Sequence, residues 1–399
     1  MKTHLLLPGQ EILPHKFLHQ QSADRKRWLF TLVIMAGMLS FDQTLFAQDA
    51  TGNMNDGPYV GYFKDSIEIK SIVFNKGKQA VVTQYFPIAE KSKVNLQIRF
   101  TNHRDWDFDV RLQPALTNQV ATWDQPSKLL ALSDIEGEFE ALRNLLIANK
   151  VMDKKYNWIF GNGHVVLCGD LFDRGLNVTE QLWLLYKLEQ DAKAQGGYLH
   201  VILGNHDIMN MSGDLRYVQQ KYYKNAILLE KEYVKLFAAD TELGQWLRTK
   251  NLVEKIGENL CLHAGISAEM NRLQLPVEEI NNRCRPYYSK ADNAEVLGNK
   301  SLSPFFADST SPFWYRGYFF EPKATQSQVD STLALYGCKT IIVGHTIVET
   351  NVAAYYQNKV FGIDVNQHDD KHEGVLFDNG RWYKINTTGR KRPLFESGK

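Results

Sequence analysis

Two rhythms of apolar and polar residues divide the chain. From Tyr59 to about Leu116, apolar and polar residues alternate in short segments such as Ser71-Ile72-Val73-Phe74, Ala80-Val81-Val82-Thr83 and Val94-Asn95-Leu96-Gln97-Ile98-Arg99-Phe100, separated by Gly, Asn and Lys. A period of two marks a strand with one buried face, and no helical period interrupts it, so residues 59–125 predict a small β-rich module. After Pro126 short apolar strands alternate with longer helices. Strands at Leu129 to Leu132, Val165 to Leu167 and Leu199 to Leu203 enclose helices near Phe139 to Asn149 and Val178 to Ala194. That βαβαβ order predicts a largely parallel sheet in an α/β domain spanning residues 126–399.

Further strands follow with a different connection. Glu254-Lys255-Ile256 and Leu260-Cys261-Leu262 flank Gly257 as a hairpin, and Thr340 to Val343, Val360 to Ile363 and Gly374 to Phe377 are additional strands. Asn379-Gly380 before Arg381-Trp382-Tyr383 is a two-residue hairpin turn, because Asn and Gly tolerate positive φ. Parallel and antiparallel pairing are therefore both expected. Two packed mixed sheets flanked by helices, an α/β/β/α sandwich, accommodate them.

Composition narrows the classes of partner. With 46 basic and 45 acidic residues among 399, the net charge is +1, so the chain has no field of one sign to hold nucleic acid or an anionic membrane. Any selectivity for phosphate must be local. Arg25, Lys26 and Arg27 precede an apolar run from Trp28 to Phe41, and Leu45-Phe46-Ala47 ends on a small residue. The run falls short of the ~20 apolar residues that span a bilayer, so residues 1–47 read as a signal peptide and 48–58 as a linker. An exported protein, periplasmic or secreted and with no stable membrane span, is expected. Cys168, Cys261, Cys284 and Cys338 are too few for a disulfide scaffold, although an oxidising compartment would allow a bridge within some pair.

The chemistry lies at strand ends. Asp134 and Glu136 follow the first strand of the α/β zone, Asp170 and Asp173-Arg174-Gly175 the second, and Asn205-His206-Asp207 the third; His263 ends the hairpin and His345 the strand after Lys339. Ligands of open α/β sheets gather outside the carboxyl ends of strands, so these side chains should converge although they are far apart in sequence. Carboxylates mixed with imidazoles and an amide oxygen suit Mn, Fe or Zn, and the absence of cysteine among them argues against a structural zinc.

The ordered set Gly169-Asp170-Leu171-Phe172-Asp173-Arg174-Gly175, Gly204-Asn205-His206-Asp207, His263-Ala264-Gly265 and Gly344-His345-Thr346 resembles the successive motifs of calcineurin-like metallophosphoesterases, in the phosphoprotein phosphatase branch. Pro312-Phe313-Trp314-Tyr315-Arg316-Gly317 further resembles the Shewanella-like protein phosphatases. The resemblance implies two divalent metal ions, with Asp134 and Asp170 on the first, Asp170 bridging, and Asn205, His263 and His345 completing the second. It implies attack on a phosphomonoester by a metal-bridging hydroxide. His206 would then protonate the leaving group, with Asp173 or Asp207 fixing its tautomer, and Arg174 and Arg316 would neutralise the phosphoryl oxygens.

Two positions depart from that pattern. Asp134-Ile135-Glu136-Gly137 stands where Asp-x-His-Gly is expected; Glu136 remains a candidate ligand and adds charge that favours Mn, Mg or Fe. Asp207 stands where the branch has Glu, which loosens the branch assignment. His164 and His200 lack such company and read as structural. Residues 368–373, His-Asp-Asp-Lys-His-Glu, read as a solvated loop, and residues 209–223 as a cap on the site or a helix face. The substrate class expected is a phosphoprotein or a small phosphorylated molecule. A phosphodiesterase or nucleotide pyrophosphatase on the same metals, and a catalytically weak phosphate-binding protein, are the competing readings.

Overall fold

The computed structural model describes residues 54–369 and 372–395; the basic and apolar stretch read as a signal peptide lies outside them. Strands β1 (Asp56–Phe63), β2 (Ser66–Asn75) and β3 (Lys78–Pro87) form an antiparallel meander, and β4 (Asn95–Ile98) with β5 (Phe108–Arg111) a second antiparallel pair. The rest of the chain builds two six-stranded sheets. They are made of β6 (Thr122–Trp123), β7 (Lys128–Leu132), β8 (His164–Cys168), β9 (Tyr198–Ile202), β10 (Val253–Ile256), β11 (Asn259–Leu262), β12 (Thr340–Val343), β13 (Ala353–Tyr355), β14 (Val360–Gly362), β15 (Glu373–Asp378), β16 (Arg381–Asn386) and β17 (Arg392–Pro393).

One sheet runs β17-β16-β15-β7-β8-β9, with β7, β8 and β9 parallel and the others added antiparallel. The other runs β13-β14-β12-β11-β10-β6, with β11, β12 and β14 parallel and β10 and β11 joined as the expected hairpin. Asn379 and Gly380 take φ of 50° and 82° in the turn between β15 and β16.

Side-chain alternation explains the layering. Leu129 and Ala131 of β7 pack with Val166, Cys168, Ile202, Ile256, Cys261 and Ile342 in an apolar layer between the two sheets. Their neighbours Leu130, Leu132, Val165 and Leu167, with Leu260, Leu262, Ile341 and Val343, join a second cluster containing helical residues such as Leu142, Leu185 and Leu333. Strands buried on both faces read as continuous apolar runs, and helices cover both outer faces. The result is the expected four-layer sandwich. All four cysteines are buried and unpaired, Cys168 and Cys261 within the inter-sheet layer.

The amino-terminal strands are built into this body. β1 starts at Asp56, inside the stretch read as a linker; a register shift between Asp56 and Tyr59 absorbs Gly57-Pro58, which in sequence looks like a break. β6 is too short to show alternation and pairs with β10, so it belongs to a large sheet. Helix α1 (Phe139–Ala148) is followed by α2 (Val178–Ala194), which buries Thr179, Glu180, Gln181 and Glu189 as well as its leucines. α2 packs against β9 on one side and β1 on another: Trp183 Nε1 donates to Pro58 O at 2.9 Å and the Gln113 amide to Tyr186 Oη at 2.7 Å. The β-rich segment therefore shares one apolar cluster with the helices. Among the described residues no helix is long and apolar enough to cross a membrane.

Glu189 of α2 is held in this interior by Lys250 Nζ at 2.6 Å and Trp246 Nε1 at 2.6 Å. Burial pushes its carboxyl upward, but Lys250 and Lys193 outweigh that and bring it down to about 2. Its stabilisation is complete above the ordinary carboxyl range, near 4.5, and drains away as the pH falls towards 2. Lys250→Met leaves Glu189 with Lys193 as its remaining cation and is expected to lower the unfolding free energy by about 1–3 kcal/mol, with the largest difference above pH 5. Urea denaturation of both proteins between pH 3 and 8 measures this; equal stability at pH 7 would refute it.

Candidate active site

The predicted strand-end residues meet at one rim. Asp134 follows β7, Asp170 follows β8, Asn205 follows β9, His263 follows β11 and His345 follows β12. The backbone there is bent hard. Asp134, Glu136, Asp170, Asp173, Arg174 and His345 all have φ between 47° and 76°. Such left-handed residues cost about 1–3 kcal/mol each and persist only where the surroundings over-determine them. Glycine permits the crowding at two points: a Cβ on Gly204 would run into the Asp170 carboxylate, and one on Gly344 into Ser133 and Asp134.

Two donor groups share one residue. Asp170, His263 and His345 offer ligand atoms within 4.8 Å of one another, as do Glu136, Asp170 and His206. The imidazoles are pre-oriented. His263 Nδ1 donates to Cys168 O at 2.7 Å, leaving Nε2 facing Asp170 Oδ2 at 3.2 Å and Asn205 Oδ1 at 2.9 Å. His345 Nε2 donates to Trp314 O at 3.0 Å, which leaves its Nδ1 for a ligand. Backbone carbonyls fixing the far ring nitrogen are the usual outer support of metal-binding histidines.

His206 and Asn210 lie one turn apart on α3 (Asn205–Ser212) and bracket Asp173. His206 Nδ1 is 2.6 Å from Asp173 Oδ2, Asn210 Nδ2 donates to Asp173 Oδ1 at 2.8 Å, and Tyr233 Oη donates to Asn210 Oδ1 at 2.8 Å. Of the two carboxylates considered for orienting His206, Asp173 occupies that place. Asp207 instead accepts the amides of Gly204, Asp170, Leu171 and Phe172 at 2.7 to 3.2 Å, tying the Asp170 loop to the start of α3. Arg174 extends towards His206, Nη2 to Nε2 3.4 Å, and Arg316 Nη1 donates to His345 O at 2.7 Å.

Glu136 is buried in the second group, with one oxygen bonded to Arg174 and the other 2.9 Å from His368 Nε2. The other nitrogen of His368 is 2.8 Å from Glu138. The loop read as solvated therefore reaches into the site, because carboxylates distant in sequence capture its histidine. Residues 370 and 371 of that loop lie outside the described residues. The Arg174 loop is held from behind by the segment leading into α4 (Gln220–Leu228). Gln219 Nε2 donates to Arg174 O at 2.7 Å, and the buried Lys221 Nζ donates to Leu176 O at 2.6 Å while lying 3.4 Å from Asp56 Oδ1 of β1.

The electrostatics show what the centre lacks. Among the described residues no basic side chain pairs with Asp134, which accepts the His345 amide at 3.0 Å. Burial first, then Asp170 and Glu136, push its carboxyl up to about 7 against the pull of His263. Burial opposes charge on His263, yet Asp170 and Asp134 hold it up to about 10, and its Nε2 faces two oxygens, an arrangement that favours positive charge between them. Asp364, at the end of β14, is pushed well up by burial and by Asp134 and Glu136. Buried carboxylates in such excess are normally paired or coordinate metal, and this oxygen and imidazole set suits hard to intermediate divalent ions. The residues fit divalent metal ions. His164 and His200 are remote partners, 2.9 Å apart, with Glu254 on the far nitrogen of His200 at 2.7 Å.

The sequence model of the calcineurin-like phosphoesterase family matches residues 127–349. The chain belongs to that family. This phosphoesterase is 23% identical over 309 residues to Shewanella-like protein phosphatase 2 of Arabidopsis thaliana, covering 66% of this chain and 77% of that protein. It is 26% identical over 263 residues to Shewanella-like protein phosphatase 1 of Plasmodium berghei, covering 63% and 70%. Among solved structures it is similar to a cold-active protein-tyrosine phosphatase of a psychrophilic Shewanella sp., at 34% identity and a TM-score of 0.77 over 86% of this chain and 99% of that one. A match over that share reaches beyond residues 126–399 into the amino-terminal strands. The protein is thus a hydrolase of phosphoesters.

Sequence reasoning passed over Asp364, read Asn210 only as part of a cap or helix face, and placed His368 in a solvated loop. Asp364 obeys the strand-end rule that found the others, and Asn210 could have been read from its spacing to His206. Nothing local in sequence marks His368. If Asp170 is shared by both donor groups, Asp170→Asn in this phosphoesterase is expected to lose both ions together, with metal content falling by 10-fold or more at limiting ion. Elemental analysis after gel filtration checks this; retention of one ion per chain would separate the two groups.

Proposed function

We propose that this protein is a metal-dependent phosphomonoesterase acting on phosphorylated protein side chains, aryl phosphates among them. The observation that carries this reading is the His206–Asp173 pair beside Asp170, with the Arg174 and Arg316 guanidinium groups reaching the same rim. Asp134, Asp170, Asn205, His263 and His345 would hold two ions, with Glu136 as a further ligand on the Asp134 side; Mn or Fe suits so carboxylate-rich a set better than Zn or Mg. Bound ions supply Lewis acidity towards the phosphoryl group and make the attacking water more acidic.

The protein's own groups do the rest. Asp173 accepts a hydrogen bond from His206 Nδ1–H and so directs Nε2 towards the reacting centre, 3.9 Å from Asp170 Oδ2. Burial opposes protonation of His206 while Asp170 and Asp173 favour it, and with Nδ1 engaged by Asp173 it is Nε2 that would deliver a proton to the departing alkoxide or phenoxide. Arg174, half exposed, is held by Glu136 until a phosphate competes for its fork. Two guanidinium groups match the dianion of a monoester better than the single charge of a diester, which favours phosphomonoesterase over phosphodiesterase. Similar proteins carry the name protein phosphatase, one of them protein-tyrosine phosphatase, which supports a phosphoprotein substrate. The basic residues before the apolar run at Trp28 to Phe41 support export to the periplasm or beyond, as part of the same proposal.

Protein purified without added metal, analysed for its elements and reconstituted separately with Mn, Fe, Zn and Mg, is expected to cleave p-nitrophenyl phosphate far faster than bis-p-nitrophenyl phosphate. Preference for the diester under every ion would overturn the reading. His206→Ala is expected to lower kcat by about 10²- to 10⁴-fold with metal content unchanged, and an unaltered kcat would remove His206 from proton transfer.

A further inference from the structure

Tyr217 lies just before α4 and keeps 44% of its surface exposed. It is not a stray surface aromatic. Its ring centroid is 4.9 Å from that of His206, tilted by 48°, and the Arg174 guanidinium carbon lies 5.5 Å from the same ring. The segment that presents it is anchored at several points. Tyr217 O accepts the Arg174 amide at 3.3 Å, Val218 N donates to Leu215 O at 3.2 Å, and Tyr223 Oη donates to Leu215 O at 2.9 Å. Arg216 forks onto Asp214 at 2.7 to 3.0 Å and stacks its guanidinium 5.7 Å from the Tyr217 ring. A fixed aromatic ring thus stands in the open beside the imidazole that faces the departing oxygen.

Buried aromatics fill cores, whereas an exposed ring held by cations on its face is a ready surface for a second ring. Building on the proposal that His206 protonates the leaving group, we infer that Tyr217 is a specificity-determining residue, the wall against which an aromatic leaving group packs. The phenoxide of an aryl phosphate leaves from beside His206 and lays its ring against Tyr217. A serine-type leaving group carries one methylene at that place and gains little. The wall therefore raises turnover of aryl phosphomonoesters relative to alkyl ones, and it does so through ring contact rather than through the Tyr217 hydroxyl.

Two peptides of one sequence, carrying phosphotyrosine or phosphoserine, decide the matter when kcat/KM is measured on metal-reconstituted wild type, Tyr217→Ala and Tyr217→Phe. Tyr217→Ala is expected to lower the tyrosine-to-serine ratio by roughly 2- to 12-fold, and Tyr217→Phe to keep it. An equal fall on both peptides would assign Tyr217 to support of Arg174 and His206 and overturn the inference, as would an unchanged ratio or a ratio lost in Tyr217→Phe. A wild type that cleaves only phosphoserine defeats the aromatic wall and leaves the monoesterase reading standing. A wild type that cleaves neither peptide nor any other phosphomonoester defeats both.

Discussion

Asp170 carries more of this structure than its size suggests. Its carboxylate meets the His206 amide at 2.9 Å, His263 Nε2 at 3.2 Å and His206 Nε2 at 3.9 Å, in a buried pocket that also holds Asp134, Glu136 and Asp364. Mutual repulsion of buried carboxylates would expel or neutralise them in a compliant protein. Here the parallel strands end in left-handed turns packed behind two apolar layers, and the carboxylates cannot separate without breaking those turns. Cations must come to the carboxylates. The rigid sandwich, the fixed histidine nitrogens and the affinity for positive charge are three aspects of one constraint.

The same constraint explains why the substrate end is cationic. Arg174 has a left-handed backbone in a loop whose supports come from elsewhere: Gln219 and Lys221 from the segment around α4, and Glu136 from the turn after β7. Under the phosphate-binding role proposed for Arg174, a guanidinium held in this way would have little freedom to lose when phosphate arrives, so more of its attraction would be available for binding and for the charge that develops during hydrolysis.

Much of this was legible in the sequence, for reasons that particular residues make plain. β7, β8 and β9 are apolar on both faces because a second sheet and a helical layer enclose them, and such runs stand out against polar neighbours. α2 was found at its observed bounds, Val178–Ala194, yet its buried Glu180 and Glu189 could not be anticipated, since the cations that accommodate them, Lys221 and Lys250, lie far along the chain. The strand-end rule brought five remote residues together correctly and stopped one strand short at Asp364. Glu136 was weighed as a ligand by its chemistry alone. Its bond to Arg174 spans two strand-end loops and its bond to His368 reaches a loop more than two hundred residues away, and no local pattern encodes them. Asp207 shows the reverse: the motif suggested work on the imidazole, and the geometry gives it four backbone amides.

The ion pair between Asp56 and Lys221 has a wider bearing. Strand β1 supplies a counter-charge for the ammonium group that grips the carbonyl of Leu176. Trimming the amino terminus past that aspartate would leave Glu180, 3.9 Å away, as the remaining counter-charge of that ammonium group and slacken the turn that presents Arg174. A segment that looks like an accessory to the catalytic body therefore braces it, and the seating of the outermost sheet is felt at the Arg174 loop.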